Sequence, residues 1–170
     1  MPGFQITVQV GNIINQPDCD AIVNSANKNL RAGSGVCGAI YRAAGAELEP
    51  CSVQFAPLGI GKAVATPGFL LPNPWIIHVR GPKYHFDPEP AANLQSAMES
   101  LLQVAEECRV RRLAVPAISM GVYSYPPEDA IPILVETTRK FLPQVRSLEE
   151  VRFVVMGDAL AHLFAVTIAA

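Results

Sequence analysis

The stretch NSANKNLRAGSGVCG, residues 24–38, gathers the side chains and backbone types most able to do chemistry. Asn24 and Asn27 follow an apolar run, and a side-chain amide at a strand end offers a donor and an acceptor to sugar hydroxyls. The same amides also serve to cap turns and satisfy loop backbone. Gly33, Gly35 and Gly38 let backbone N–H groups approach an anion without a Cβ in the way, and a helix starting near Val36 adds the positive end of its dipole. Together they make an anion site that needs no lysine or arginine. A second loop, SMGVYSY at 119–125, offers further N–H donors at Ser119, Gly121 and Val122. Two such loops facing one another suit a diphosphate; the competing reading is a pair of turns whose glycines serve backbone geometry alone.

Neither loop matches the better-known phosphate patterns. GSGVCG lacks the GK[ST] ending of a Walker A loop and does not follow the first strand as a dinucleotide fingerprint does. Cys37 has no histidine beside it in sequence, and a buried small-residue role fits it better than nucleophilic attack. His78, inside WIIHVRG, reads as a hydrogen-bonded core histidine rather than a base.

The elements that must position these groups follow from periodicity. FQITVQV at 4–10 alternates and is rich in β-branched residues, and DAIVNSA at 20–26 is more completely apolar; both predict strands. VCGAIYRAAG places Val36, Ile40 and Ala43 or Ala44 on one helical face and stops at Gly45. Strands are expected at about 62–66 and 75–80, lying close or paired. Residues 88–108 put Leu94, Ala97, Leu101, Ala105 and Cys108 on one face, with Asp87-Pro88 as cap and first turn. RLAVPAI at 112–118 predicts a buried strand, followed by a turn and a helix to about Leu142. With Asp129 as its N-cap, Pro132 would fall at the third helical position, where its missing N–H has no partner to lose. VRFVVM at 151–156 predicts the last strand and ALAHLFAVTIA the last helix.

Strands alternating with long helices predict right-handed βαβ crossovers, hence an α/β protein with a three-layer α/β/α sandwich and a mixed, mostly parallel central sheet. Ligands of such sheets sit beyond the carboxyl ends of the strands. Both glycine-bearing loops fall there.

Composition narrows the class. A chain of 170 residues suits one domain over 1–170, with roughly two-thirds of its unfolded surface buried on folding. No apolar run approaches the ~20 residues a bilayer span needs. MPGFQITVQVGN does not resemble a secretory signal, so a cytoplasmic location is expected. Cys19, Cys37, Cys51 and Cys108 show no CxxC spacing, so neither a metal site nor a disulfide framework is predicted. A net charge of −2 without a long basic run disfavours DNA or groove-type nucleic-acid binding.

Four segments in order, ITVQVGNI, DAIVNSANKNLRAGSGVCGAIYRAAG, GKAVATPGF…WIIHVRGP and LAVPAISMGVYSYP, resemble the successive motifs of the macrodomain family over nearly the whole chain. That family binds ADP-ribose, and many members hydrolyse ADP-ribose from modified carboxylate side chains or deacetylate O-acetyl-ADP-ribose. The resemblance implies that Asn12 stands where the family's adenine-contacting aspartate is found, with the Ile13 N–H facing the adenine ring. Replacing the aspartate by an amide puts about 1 kcal/mol of affinity at stake. Met156 would cover the adenine face usually covered by an aromatic residue. The pyrophosphate would lie between Ser34, Gly35, Val36 and their loop on one side and Ser119, Met120, Gly121, Val122 and Tyr123 on the other. Tyr123 would cover the distal ribose, Asn27 would bind its hydroxyls, and Asn24 would support the loop from behind.

A second departure concerns the reaction. The helix start of the family's cellular hydrolases carries an aspartate that helps activate water; here it is Cys37, in a GVCG sequence similar to alphavirus-type macrodomains. An aspartyl or glutamyl ester leaves as a carboxylate whose acid has a pKa of about 4, so the leaving group needs no general acid. Water held between the ligand's phosphate and Asn27 would attack an anomeric carbon of oxocarbenium character, with Cys37 contributing shape. The resemblance therefore implies an ADP-ribosyl hydrolase for carboxylate-linked mono-ADP-ribose, with O-acetyl-ADP-ribose deacetylation as a related activity. The alternative is a module that reads ADP-ribose or poly(ADP-ribose) without cleaving it. The expected partners are ADP-ribose and ADP-ribosylated proteins, with no cofactor, no membrane, no DNA and at most weak RNA binding, for a monomeric chain.

Overall fold

Alternation of side chains along the strands decides the architecture. In a computed structural model, which describes residues 3–170, six strands form one sheet: β1 Gln5–Val10, β2 Ala21–Ser25, β3 Ala63–Pro67, β4 Trp75–Val79, β5 Arg112–Val115 and β6 Glu150–Val155. Their spatial order is β1-β6-β5-β2-β4-β3, parallel throughout except for β3, which runs antiparallel to β4 at one edge. The mixed, mostly parallel sheet of the sequence reading is what the chain forms. Five α-helices cover it: α1 Gly35–Ala44, α2 Leu48–Ser52, α3 Pro90–Glu107, α4 Pro127–Phe141 and α5 Asp158–Ala169.

The two faces carry separate cores. Ala21, Val23, Ile77, Val79, Leu113, Val115, Val151, Phe153 and Val155 point to the side packed by α3, α4 and α5. There Phe153 of β6 stacks on Phe164 of α5 with ring centroids 4.6 Å apart, and both rings are fully buried. Ile22, Ile76, Ala114 and Val154, one residue out of phase, join Ile40, Tyr41 and Ala44 of α1 in the core of the other face. Period-two alternation on strands covered on both sides gives near-continuous apolar runs, as in AIV and WIIHV. Asn24 and His78 share the parity of Ile22 and Ile76 and so lie under α1.

Several boundaries differ from the sequence expectation. α3 begins at Pro90, because Glu89 takes a left-handed conformation (φ 45°) that breaks the helix behind it. α4 begins at Pro127, and Asp129 is its third residue instead of its cap. Pro132 therefore sits inside the helix, on its exposed side, and removes the bond that the Glu128 carbonyl would otherwise accept. α2, with Pro50 in a five-residue helix, gives no periodic signal and was not expected. Gly45 ends α1 at φ 92°, the role its type suggested.

Candidate ligand-binding cleft

The carboxyl ends of β2, β5 and β6 open into a cleft of about 490 Å³. Its walls are the turn after β2 with the first residues of α1, the loop after β5, and the end of β6 with Leu160 of α5. Of the sequence-predicted residues it brings together Asn27, Ser34, Gly35, Val36, Cys37, Ser119, Met120, Gly121, Val122, Tyr123 and Met156. Asn12, Ile13 and Asn24 are not in its wall. No lining residue carries a charge.

The first wall is an open helix end. Ser34 is the N-cap residue of α1, in extended conformation, and its hydroxyl does not cap the helix. Among the described residues, the N–H groups of Ser34, Gly35, Val36 and Cys37 have no partner, as expected of a first turn with nothing folded over it. Gly35 follows at φ 57°, a conformation costly for any other residue. Gly38 is required for a different reason: a Cβ there would run into the Gly33 carbonyl, so the loop can close onto the helix only against glycine.

The opposite wall is a tight loop. Met120 N–H donates to the Ala117 carbonyl, Ser124 N–H to Gly121 and Tyr125 N–H to Ser119, at 3.2, 2.9 and 2.8 Å. That folding leaves the N–H groups of Ser119, Gly121, Val122 and Tyr123 without partners among the described residues. Ser119 is held at φ 65°, only 5% exposed, and its hydroxyl has no hydrogen-bond partner. Gly81 lies directly against that hydroxyl, where a Cβ would collide with it.

At one end of the cleft the polar side chains converge on a single carbonyl. The Asn27 amide donates to the Arg31 carbonyl at 2.8 Å and accepts from the Arg31 N–H at 3.1 Å. The Cys37 thiol points to the same carbonyl at 3.6 Å. Asn27 thus performs the turn-bracing role and still keeps one N–H and one lone pair for a ligand. Burial raises the Cys37 pKa, so the sulfur stays a thiol at neutral pH. Glu49, from the unexpected α2, accepts the Ala32 N–H at 2.9 Å and fixes the next residue of the loop.

Behind this end runs a neutral polar chain. Asn24 donates to Nδ1 of His78 at 3.0 Å, and Nε2 of His78 donates to the Thr66 hydroxyl at 2.9 Å. Asn24 and His78 are fully buried, and burial depresses the His78 pKa to about 4, so the ring is neutral. It is a hydrogen-bonded core histidine beneath Tyr41, whose ring lies 6.2 Å away. The other end of the cleft is apolar: Val154, Val155, Leu160 and Met156, the last 81% exposed. Val154, Val155 and Leu160 were missed by a reading that followed glycines, although the rule that ligands sit at strand carboxyl ends points to the end of β6. Asn12 is nearby in sequence to β1, with its Oδ1 accepting the Ile14 N–H at 3.2 Å, and Ile13 is buried in the α1-side core.

Among the described residues there is no group of His, Cys, Asp and Glu able to hold a metal ion, and no helix is long and apolar enough to cross a membrane. The Macro domain family model matches residues 23–134. A Klebsiella pneumoniae protein named O-acetyl-ADP-ribose deacetylase is 41% identical over 152 residues, which cover 86% of this chain and 87% of that protein. The Oceanobacillus iheyensis macrodomain solved with ADP is similar with a TM-score of 0.91 at 28% identity, covering 99% of this chain and 92% of that one. The Trypanosoma brucei macrodomain in complex with ADP-ribose gives 0.88 at 30% identity, covering 96% and 68%.

Proposed function

The chain belongs to the macrodomain family, and from that premise we propose that it binds ADP-ribose and hydrolyses both O-acetyl-ADP-ribose and mono-ADP-ribose esterified to aspartate or glutamate. The observation that carries this reading is the division of the cleft. Two sets of partnerless N–H groups face a space between an apolar end and an end where Asn27 and Cys37 meet at one carbonyl. Adenine suits the apolar end beside Met156, the diphosphate suits the N–H groups, and the distal ribose suits Asn27 and Tyr123. The relative named O-acetyl-ADP-ribose deacetylase and the similar structures solved with ADP and ADP-ribose support the ligand class. Asn12 lies outside the cleft wall, and an adenine amino group that reached it would meet a neutral amide oxygen, a weaker acceptor than a charged aspartate.

In this reading water sits between the diphosphate and the Asn27 amide. Its oxygen bonds to the anomeric carbon as the carbon–oxygen bond to the protein carboxylate breaks; the bonding pair leaves on the carboxylate and the proton passes to a ligand phosphate oxygen. Cys37 fills space and stays protonated. Deacetylation uses the same end of the cleft: the water oxygen bonds to the acetyl carbonyl carbon, the acyl–oxygen bond breaks, the ribose oxygen takes a proton from that water to leave as a hydroxyl, and acetate is released. Positioning of water supplies much of the rate, and misplacement of about 1 Å costs on the order of 100-fold.

Asn27→Ala should therefore lower kcat/KM for O-acetyl-ADP-ribose and for a glutamate-linked ADP-ribosyl protein by about 100-fold. Equal rates for variant and wild type would overturn the assignment. One observation favours a second reading, a module that binds without cleaving: no carboxylate lines the cleft. Tight ADP-ribose binding by calorimetry with no turnover of either substrate selects it.

A further inference from the structure

The charge-free cleft has cations about its mouth at one end only; the Met156 end carries the exposed carboxylate of Asp158 instead. Lys83 Nζ lies 5.5 Å from the centre of the Tyr123 ring, and the Tyr84 N–H donates to the Tyr123 carbonyl at 3.0 Å, which pins the Lys83 segment to the cleft wall. Arg80 donates through Nη1 to the Leu58 carbonyl at 2.8 Å, and the Leu58 N–H donates to the Lys28 carbonyl at 2.8 Å, so Arg80 and Lys28 stand on one contiguous ledge. Lys28 is next to Asn27 in sequence, and Arg31 is the residue whose backbone the Asn27 amide grips. Lys28, Arg31 and Lys83 are exposed and Arg80 is half-buried. Among the described residues none of the four is in an ion pair; the ion pairs present engage Arg111, Arg139 and Arg152, remote from the cleft. The carboxylates nearby, Glu49 and Asp87, each have an oxygen occupied by a backbone N–H, of Ala32 and Lys83 respectively. At the Met156 end, residues 153–170 contain no lysine or arginine.

We propose that the modified carboxylate is delivered within an acidic stretch of polypeptide, which docks on the unpaired cations Lys28, Arg31, Arg80 and Lys83 around the Asn27–Tyr123 end of the cleft. This rests on the hydrolase reading above, in which the distal ribose and its protein adduct emerge at that end. A chain carrying a net charge of −2 repels acidic polypeptide in general, and a local excess of cations at the mouth reverses the sign where it matters. Exposed pairs of this kind act chiefly on encounter rate and are weakened by salt. A nucleic acid would instead require a basic track continuing past the mouth and open aromatic faces for bases. Here the cations stop at one end, and Tyr84 is already packed by His85 and Tyr125, with ring centroids 5.0 and 4.8 Å away.

The test compares two glutamate-linked mono-ADP-ribosyl peptides, one flanked by aspartates and glutamates and one by serines and glycines, with O-acetyl-ADP-ribose as the reference. The acidic peptide should show a kcat/KM about fivefold above the neutral one at low salt, and the gap should close as salt approaches about 0.5 M. The double variant Lys28→Gln/Lys83→Gln should bring the two peptides to equal kcat/KM; any change in turnover of O-acetyl-ADP-ribose, itself an anion, is shared by both peptides and cancels in their ratio. Equal values for the two peptides in wild type, or a preference surviving in the double variant, overturns the proposal. So does an unmodified adenine-rich RNA that competes with the acidic peptide through these lysines. If wild type turns over none of the substrates, the hydrolase reading fails, and the Kd values of the two peptides then decide the docking surface by themselves: a salt-sensitive acidic preference supports it and equality overturns it.

Discussion

Arg152 lies in the sheet and Asn27 just past the end of one of its strands, and their surroundings treat polar groups in opposite ways. In the amino half of β6, Arg152 forms a bidentate pair with Asp18 at 2.9 and 2.8 Å, a second pair with Glu150 at 2.9 Å and a bond to Gln16 at 2.9 Å, while the Thr7 hydroxyl donates to Glu150 at 2.7 Å. Every member is satisfied, and the Arg152 pairing draws the Asp18 pKa down to about 2. At the carboxyl ends of the strands the cleft has no charges in its wall, yet among the described residues two runs of N–H groups and the buried Ser119 hydroxyl are without partners. The charged region ties β1, β6 and the turn before β2 together. The neutral region leaves its N–H donors unpaired among the described residues.

The largest effect that would sharpen this contrast is removal of the arginine. Arg152→Leu leaves Glu150, whose side chain is 15% exposed, without its cation, and should destabilise the fold by about 3 kcal/mol. Urea unfolding measures it, and ADP-ribose affinity should stay within about twofold of wild type because the network is remote from the cleft. A loss near zero would mean that the pairing is ornamental and the contrast false.

A second test asks whether the neutral chain under the cleft must remain neutral. His78 has a folded pKa near 4 against an ordinary value of 6.5, so between these values the unfolded chain binds the proton that the folded chain refuses. Its contribution to stability is complete above pH 6.5 and is lost as the pH falls toward 4. By linkage the loss reaches about 2 kcal/mol at pH 5. Thermal or urea unfolding across that range should show the decline, and His78→Gln should flatten it. A wild-type profile flat from pH 7 to about 5 would show instead that the ring is charged in the fold.

The contrast also marks what the sequence could show. Strand positions, the sheet's parallel character and the two glycine-bearing loops follow from local patterns in AIV, WIIHV, GSGVCG and SMGVY, because burial on both faces leaves a continuous apolar run and turns need glycine. Gly45 is another local signal that held. The parts set by tertiary packing were not legible: the left-handed Glu89 that delays α3, the start of α4 at Pro127 that leaves Pro132 inside the helix, and α2 with Glu49 on the loop. Asn27 was read as a ligand or a turn brace. The structure shows the brace, in the Arg31 bonds, and leaves half the amide free for the other role. The apolar end at Val154, Val155 and Leu160 depends on which strand ends lie side by side, a fact of topology that no single motif carries.

The smallest expected effect is also the one of opposite sign. Ser119 combines a left-handed backbone with a buried hydroxyl that has no partner. The backbone conformation disfavours a non-glycine residue by roughly 1–2 kcal/mol, and the orphaned hydroxyl adds about 1 kcal/mol of desolvation. Against these, glycine raises the entropy of the unfolded chain by about 0.5–1 kcal/mol, and the packing of the Ser119 side chain against Gly81 is lost. Ser119→Gly should therefore stabilise the fold by about 1 kcal/mol, where Arg152→Leu does the reverse. Ser119→Ala keeps the strained backbone and removes only the hydroxyl, so the difference between the two variants separates strain from desolvation. If the hydroxyl is held for a ligand, both variants should weaken ADP-ribose about fivefold while gaining stability. A variant that loses stability and keeps its affinity would place Ser119 with the satisfied groups of the Arg152 region, and the division of the molecule into a paired end and a poised end would fail at the cleft itself.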